Sequence, residues 1–286
     1  MEKIGRVTVL GSGLMGSGIA QVAAQAGLDV TLRDIEDKFL DKGMNAIKQS
    51  LERMVKKEKI TQDEANAYLS KIKCTTNLVE SVRNADVVIE AIPEILPLKN
   101  ETFRTIDMEC PAHVIFASNT SGLSITEMAS ATKRADRFIG MHFMNPVPMM
   151  QLVEIVRGYS TSKETVKTIE ELSIKMGKTP IVVSDTPGFA TSRFIAVLMN
   201  EAIHAYAEGI ASAEDIDKSM RLGMNHPMGP LQLADFVGLD TLLYVLENLC
   251  REYGDPKYRP SLLLRQMVRA GHLGRKSGKG FYNYSK

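Results

Sequence analysis

His142 and Glu154 stand twelve residues apart, each inside a short apolar run, Met141-His142-Phe143 and Leu152-Val153-Glu154-Ile155-Val156. Pro148 lies midway between them, so a chain reversal at Pro146-Val147-Pro148 would set an imidazole beside a carboxylate across neighbouring strands. A carboxylate partner fixes the tautomer of the ring and favours the imidazolium, which suits a base that must take a proton from an alcohol. That demand belongs to hydride transfer, in which the alcohol gives its proton to histidine while its carbon gives hydride to a nicotinamide. A histidine in a strand is more commonly a packed core residue; an upstream nucleotide fingerprint tips the reading here.

That fingerprint is Gly11-Ser12-Gly13-Leu14-Met15-Gly16, which follows the apolar run Val7 to Leu10 and opens an amphipathic stretch ending at Gly27. Gly11 permits the tight turn, Gly13 lets backbone approach a pyrophosphate, and Gly16 allows helix to pack on strand. Asp34 follows Gly16 by 18 residues at the end of the next strand run, where it would accept from both ribose hydroxyls and repel a 2′-phosphate. NAD is therefore favoured over NADP as cofactor, held by Gly11, Ser12, Gly13, Leu14, Met15, Gly16 and Asp34.

These residues need elements to hold them. Val- and Ile-rich runs at 7–10, 29–32, 86–92, 113–117, 137–143, 152–156 and 180–184 alternate with longer amphipathic stretches. Such buried runs bounded by Gly, Pro, Asn or Asp predict an α/β fold, a Rossmann-like, doubly wound, mostly parallel sheet covered on both faces. About forty residues from Ile35 to Cys74 read as helix, longer than a crossover needs, and predict a helical arm over about 36–73. From Lys38 to Lys73 the arm carries nine Lys/Arg against five Asp/Glu. It reads either as a solvated face or as a path for a phosphate-bearing ligand. Beyond Pro187-Gly188 the apolar spacing turns wholly helical, which places the nucleotide-binding α/β domain at 1–186 and an all-helical domain at 187–286.

At 286 residues the chain is long enough for two cores. Thirty-five basic against 34 acidic side chains leave no overall field to recruit nucleic acid or an anionic membrane. Cys74, Cys110 and Cys250 are scattered without metal-ligand spacing, so no disulfide framework and no metal site is expected. With no leader-like or membrane-spanning run, a cytoplasmic protein is expected. The Met141, Met144, Met149, Met150 group reads as core filler rather than a substrate pocket. The tail Gly274-Arg275-Lys276-Ser277-Gly278-Lys279-Gly280 looks like a phosphate loop but fails on spacing, with Gly280 where a hydroxyl residue should bind magnesium.

Together these segments resemble the 3-hydroxyacyl-CoA dehydrogenase family, short bacterial 3-hydroxybutyryl-CoA type, nearly end to end. Val88-Ile89-Glu90-Ala91-Ile92-Pro93-Glu94, Ser118 to Ser121, His142 to Pro148, Asn225 to Pro230 and Lys276 to Tyr282 carry the likeness alongside the glycine motif. The resemblance implies NAD as cofactor, a short-chain (3S)-hydroxyacyl-CoA as substrate and a homodimer. It implies His142 as general base or acid, Glu154 as its orienting partner, and Ser121 on the substrate 3-oxygen. Asn145 would align cofactor and substrate; Glu94, Lys99, Asn119 and Lys276 would contact NAD; Ser50, Lys56 and Lys57 would meet coenzyme A.

One departure stands out: the family has Asn at the position of Ser192, a substrate-site residue, so Ser192 is expected to preserve the chemistry while altering substrate positioning. Two rival readings are weaker. A β-hydroxyacid dehydrogenase acting on free acids would need a catalytic lysine that Phe189 to Glu208 lacks, and only Ser192 speaks for a non-catalytic, crystallin-like NAD-binding protein.

Overall fold

The computed structural model describes residues 4–285, and the chain divides into two compact units, one ending at Thr186 and the other beginning at Pro187. In chain order the first holds β1 (Arg6–Leu10), α1 (Leu14–Gln25), β2 (Asp29–Arg33), α2 (Asp37–Lys56), α3 (Gln62–Ser70), β3 (Ile72–Thr75), α4 (Leu78–Val82) and β4 (Val87–Glu90). It continues with α5 (Leu96–Asp107), β5 (Ile115–Ser118), α6 (Ile125–Ser130), β6 (Phe138–Phe143), β7 (Leu152–Arg157), α7 (Lys163–Lys175) and β8 (Thr179–Ser184).

The eight strands form one sheet in the order β3-β2-β1-β4-β5-β6-β7-β8. All neighbours run parallel except β6 and β7, which are antiparallel. The order reverses between β1 and β4, and in doubly wound sheets ligands bind beyond the carboxyl ends of strands at that switch point. Strands β4, β5 and β6 are buried at every position, so their side chains pack on both faces and the runs are continuously apolar rather than alternating.

Two local expectations need correction. The arm is not one helix through residue 73: α2 and α3 are separated at Lys57–Thr61, and Ile72 and Lys73 already belong to β3. Thr61 starts α3 with a capping box, its hydroxyl accepting from the Glu64 N–H while the Glu64 carboxylate takes the Thr61 N–H, a device worth about 1 kcal/mol. Strand β3 went unread because it is a four-residue edge strand with one buried residue, Ile72, and so carries no apolar run.

In the second unit, α8 (Thr191–Ala207), α9 (Ala213–Gly223), α10 (Pro230–Val237), α11 (Leu239–Tyr253) and α12 (Leu262–Arg269) surround a core that includes Met199, Ile203, Leu231, Leu242, Leu246 and Leu249. Among the described residues no helix is long and apolar enough to cross a membrane.

Candidate active site

The loop after β1 has the geometry that its glycines foretell. Gly11 sits at φ +96°, and a Cβ there would lie 2.5 Å from the Ala91 carbonyl oxygen at the end of β4. A Cβ on Gly16 would run into the Gly11 carbonyl, so α1 rests directly on the loop. Around Gly13 the position of a Cβ is open, with no heavy atom within 4 Å. Helix α1 begins there with no side-chain cap and no acidic residue in its first turn. Its leading N–H groups and the positive end of its dipole are thus left for an anion. Asp34 is held from the opposite side, Oδ2 accepting from the Ser12 N–H at 2.7 Å and its hydroxyl at 2.6 Å, Oδ1 from the Ile35 N–H at 2.7 Å. An open phosphate cradle and a carboxylate fixed against the same loop fit a dinucleotide. Neighbouring Arg33 is drawn off by the Thr76 carbonyl.

His142 and Glu154 are register partners on the antiparallel pair β6 and β7. The Nδ1 of His142 lies 2.7 Å from Oε2 of Glu154, and the carboxyl is fully buried. Because β4, β5 and β6 are parallel and aligned Glu90↔Ser118↔Gly140, the imidazole stands just beyond the line of carboxyl ends where Ser118 leads to Ser121. Asn119 ties the two ends together, its Oδ1 accepting from the Phe143 N–H at 2.9 Å. The loop between β6 and β7 is clamped by Lys178, whose buried ammonium donates to the carbonyls of Val147 (2.5 Å) and Met150 (2.9 Å). Burial lowers the pKa of that ammonium. Gly18 of α1 lets the loop close on the helix, since a Cβ there would stand 2.8 Å from Val147 Cβ.

A cavity of about 460 Å³ opens between α1, α2 and this loop, lined among others by Ser50, Arg53, Lys57, Lys59, Asn145 and Met149. Ser50 and Arg53 on α2 and Lys57, which caps its C-terminus, follow one face at helical spacing. Lys56 lies off that face and does not line the cavity, whereas Arg53 and Lys59, absent from the sequence expectation, do. The same i, i+3, i+7 arithmetic from Ser50 would have found Arg53. Gly43 seats α2 against the nucleotide loop, for a Cβ there would be 2.6 Å from the Ser12 carbonyl oxygen. The methionine group divides: Met141 is core, but Met149 is 77% exposed beside the cavity, because it sits in the reversal rather than in a strand.

Lys99, expected at the cofactor, is 1% exposed and its ammonium is engaged by Glu90 (2.6 Å), Glu94 (3.1 Å) and the Ile92 carbonyl (3.3 Å). Burial pulls the Glu90 carboxyl upward, opposed by that ammonium, the Ser118 hydroxyl and the Ile92 N–H. An acid closing the apolar run Val87-Val88-Ile89 is the signal that could have flagged this pair. Glu94 accepts from the Thr120 hydroxyl and the Ser121 N–H, and Ser121 itself is exposed.

In the helical unit, Ser192 is the second residue of α8 and partly buried. Lys276 is paired with Asp240 at 2.5 Å. The tail glycines that mimic a phosphate loop serve packing: a Cβ on Gly274 or Gly280 would collide with Asp235, whose carboxylate takes the N–H groups of Phe281 and Tyr282.

Residues 6–186 match the family described as 3-hydroxyacyl-CoA dehydrogenase, NAD binding domain, and residues 188–284 its C-terminal domain. The chain is 50% identical over 284 residues to a probable 3-hydroxybutyryl-CoA dehydrogenase of Bacillus subtilis, with 99% of each chain covered. It is 47% identical over 281 residues to the 3-hydroxybutyryl-CoA dehydrogenase of Clostridioides difficile, covering 98% of this chain and all of that one. The crystal structure of (S)-3-hydroxybutyryl-CoA dehydrogenase from Ralstonia eutropha superimposes with a TM-score of 0.97 at 50% identity, covering 99% of this chain and 100% of the other. The nucleotide loop, the sheet that carries it and these likenesses lead to one statement: the chain belongs to the 3-hydroxyacyl-CoA dehydrogenase family and is built to use NAD.

Proposed function

We propose that this NAD-dependent 3-hydroxyacyl-CoA dehydrogenase interconverts (3S)-3-hydroxybutyryl-CoA and acetoacetyl-CoA, with His142 as general base in oxidation and general acid in reduction. The observation that carries the mechanism is the buried 2.7 Å contact between His142 Nδ1 and Glu154. With Nδ1 held by the carboxylate, Nε2 is the atom that exchanges a proton with the substrate 3-oxygen. The imidazolium formed in oxidation is stabilised by the Glu154 carboxyl group that holds its Nδ1. NAD, held by the Gly11–Gly16 loop and Asp34, would supply the hydride acceptor for C3. Ser121 donates a hydrogen bond to the 3-oxygen, and Asn145 aligns the reacting carbon with the cofactor. Ser12, Asp34, Glu94 and Asn119 orient the dinucleotide, with Lys99 acting through Glu94.

The substrate's acyl length and hand follow the relatives' names. Basic Arg53, Lys57 and Lys59 around the cavity support a phosphate-bearing thioester rather than a free acid. Ser192 stands near the start of α8 in place of the family's asparagine. Cytoplasmic placement is supported by the three unpaired cysteines, and homodimerisation through the helical unit by exposed Leu222, Met224, Phe236 and Tyr244.

The test is NADH oxidation with acetoacetyl-CoA by the native enzyme and by His142→Gln. Loss of a positioned acid-base group should lower kcat roughly 10²- to 10⁴-fold, with NADH affinity preserved. An unimpaired variant would refute the assignment.

A further inference from the structure

We infer that Thr120 is the positioning residue that sets Ser121 against the substrate 3-oxygen, anchored by the buried Glu90–Lys99 pair; the inference rests on the reading of Ser121 given above. Thr120 is 1% exposed, and all three capacities of its hydroxyl are used. It donates to Glu94 Oε1 at 2.5 Å and accepts from the N–H groups of Leu123 at 2.9 Å and Gly122 at 3.3 Å. The turn that carries Ser121 is therefore closed by one oxygen and hung from one carboxylate, which also takes the Ser121 N–H at 3.0 Å.

Glu94 alone could not hold that turn, because its side chain is 41% exposed and long enough to swing. What stops it is Lys99, 3.1 Å from Oε2 and itself locked onto the fully buried Glu90 at 2.6 Å. The circuit then returns to its start. Glu90 Oε2 accepts from the Ser118 hydroxyl at 2.6 Å, and that oxygen accepts the Thr120 N–H at 3.3 Å. Two routes from one buried carboxylate thus converge on Thr120, one through backbone and one through side chain. Both start at the buried Glu90–Lys99 pair, where hydrogen bonds to charged groups are strongest and cost most to break. Ser121 contributes only its exposed hydroxyl; where that hydroxyl stands is decided by the residue before it.

The test compares Thr120→Val, Thr120→Ser, Ser121→Ala and the Val/Ala double variant by acetoacetyl-CoA turnover, NADH binding by fluorescence, and thermal melting. T120V keeps the shape and removes the hydroxyl, and should lower kcat roughly ten- to a hundredfold, the scale expected for a misplaced contact. NADH affinity should hold, and T120S, which restores the hydroxyl, should recover most of the rate. On the S121A background T120V should change kcat by less than about twofold, because the interaction it positions is already gone. T120A, read the same way, replaces T120V if the latter melts below the assay temperature. Wild-type kcat in T120V, or a full multiplicative loss on top of S121A, overturns the inference and leaves Ser121 in its role. Wild-type kcat in S121A overturns the reading of Ser121 instead, and this inference with it.

Discussion

At the scale of single residues, the worth of Glu154 lies in its charge as much as in its hydrogen bond. Removing one member of a buried pair by truncation costs about 3–5 kcal/mol and confuses stability with chemistry, so the informative change is the isosteric Glu154→Gln. The amide can still meet His142 Nδ1, but it no longer favours the imidazolium and allows the wrong tautomer. We expect kcat to fall by roughly 10² or more with the melting temperature nearly unchanged, measured by initial rates alongside melting; equal rates would remove Glu154 from the mechanism. Asp86 shows the opposite use of a carboxylate. Burial raises its pKa, but hydrogen bonds from the Arg6 guanidinium and from the Gly5 and Arg6 N–H groups outweigh that and hold it below the usual range. A carboxyl depressed in the native state stabilises the fold above its ordinary value, about 4, and loses that contribution as pH falls through the native value. Asp86→Asn should therefore lower the melting temperature near pH 7 by a few degrees, with the gap closing as pH falls below the ordinary carboxyl value of about 4. A gap that stays constant across that range would show that titration has no part in it.

At the scale of elements, the reversal of direction between β6 and β7 makes the site. In a parallel pair a crossover would separate the two runs by a dozen or more residues; the antiparallel hairpin instead sets His142 and Glu154 opposite one another after eleven intervening residues. Helix α2 does comparable work, seated on the nucleotide loop at Gly43 and offering Arg53 and Lys57 to the cavity. If that face holds coenzyme A phosphates, Arg53→Ala/Lys57→Ala should raise KM for acetoacetyl-CoA by about tenfold, more at low salt than at high, because exposed charges are screened. KM for the N-acetylcysteamine thioester, which lacks the phosphates, should stay put. Equal effects on both thioesters would mean that the arm senses the acyl chain or the fold, not the phosphates.

At the scale of the whole molecule, the two units have separate cores. One is formed by sheet and flanking helices around residues such as Val9, Ile89 and Ile155, the other by helices around Leu231, Leu242 and Leu249. Chains with independent cores need not unfold in one step. Calorimetry of the full chain should resolve two transitions, and NADH should raise chiefly the one that belongs to residues up to Thr186, by mass action on its native state. A single transition moved as a whole by NADH would show that the units unfold together. Near-neutral net charge fits the same picture, since attraction for anions resides in the α1 terminus and the arm rather than in an overall field.

Much of this was written in the chain. Local rules were enough for the glycine loop, since only glycine tolerates φ +96° at residue 11 and contact at residue 16. They were enough for the buried strands, whose continuous apolar runs have one stable home, and the spacing about Pro146-Val147-Pro148 already implied the meeting of His142 with Glu154. Strand β3 escaped because an edge strand need not be apolar. The face that α2 turns to the cavity takes in Arg53 and leaves out Lys56 because it is chosen by packing on α1, not by the helix's own charges. The Glu90–Lys99–Glu94–Thr120 circuit was invisible for a deeper reason. A buried charge is tolerable only when its partner arrives, and those partners come from β4, α5 and the end of β5, brought together by the sheet alone. Sequence could name each of these residues; the fold decided which of them touch.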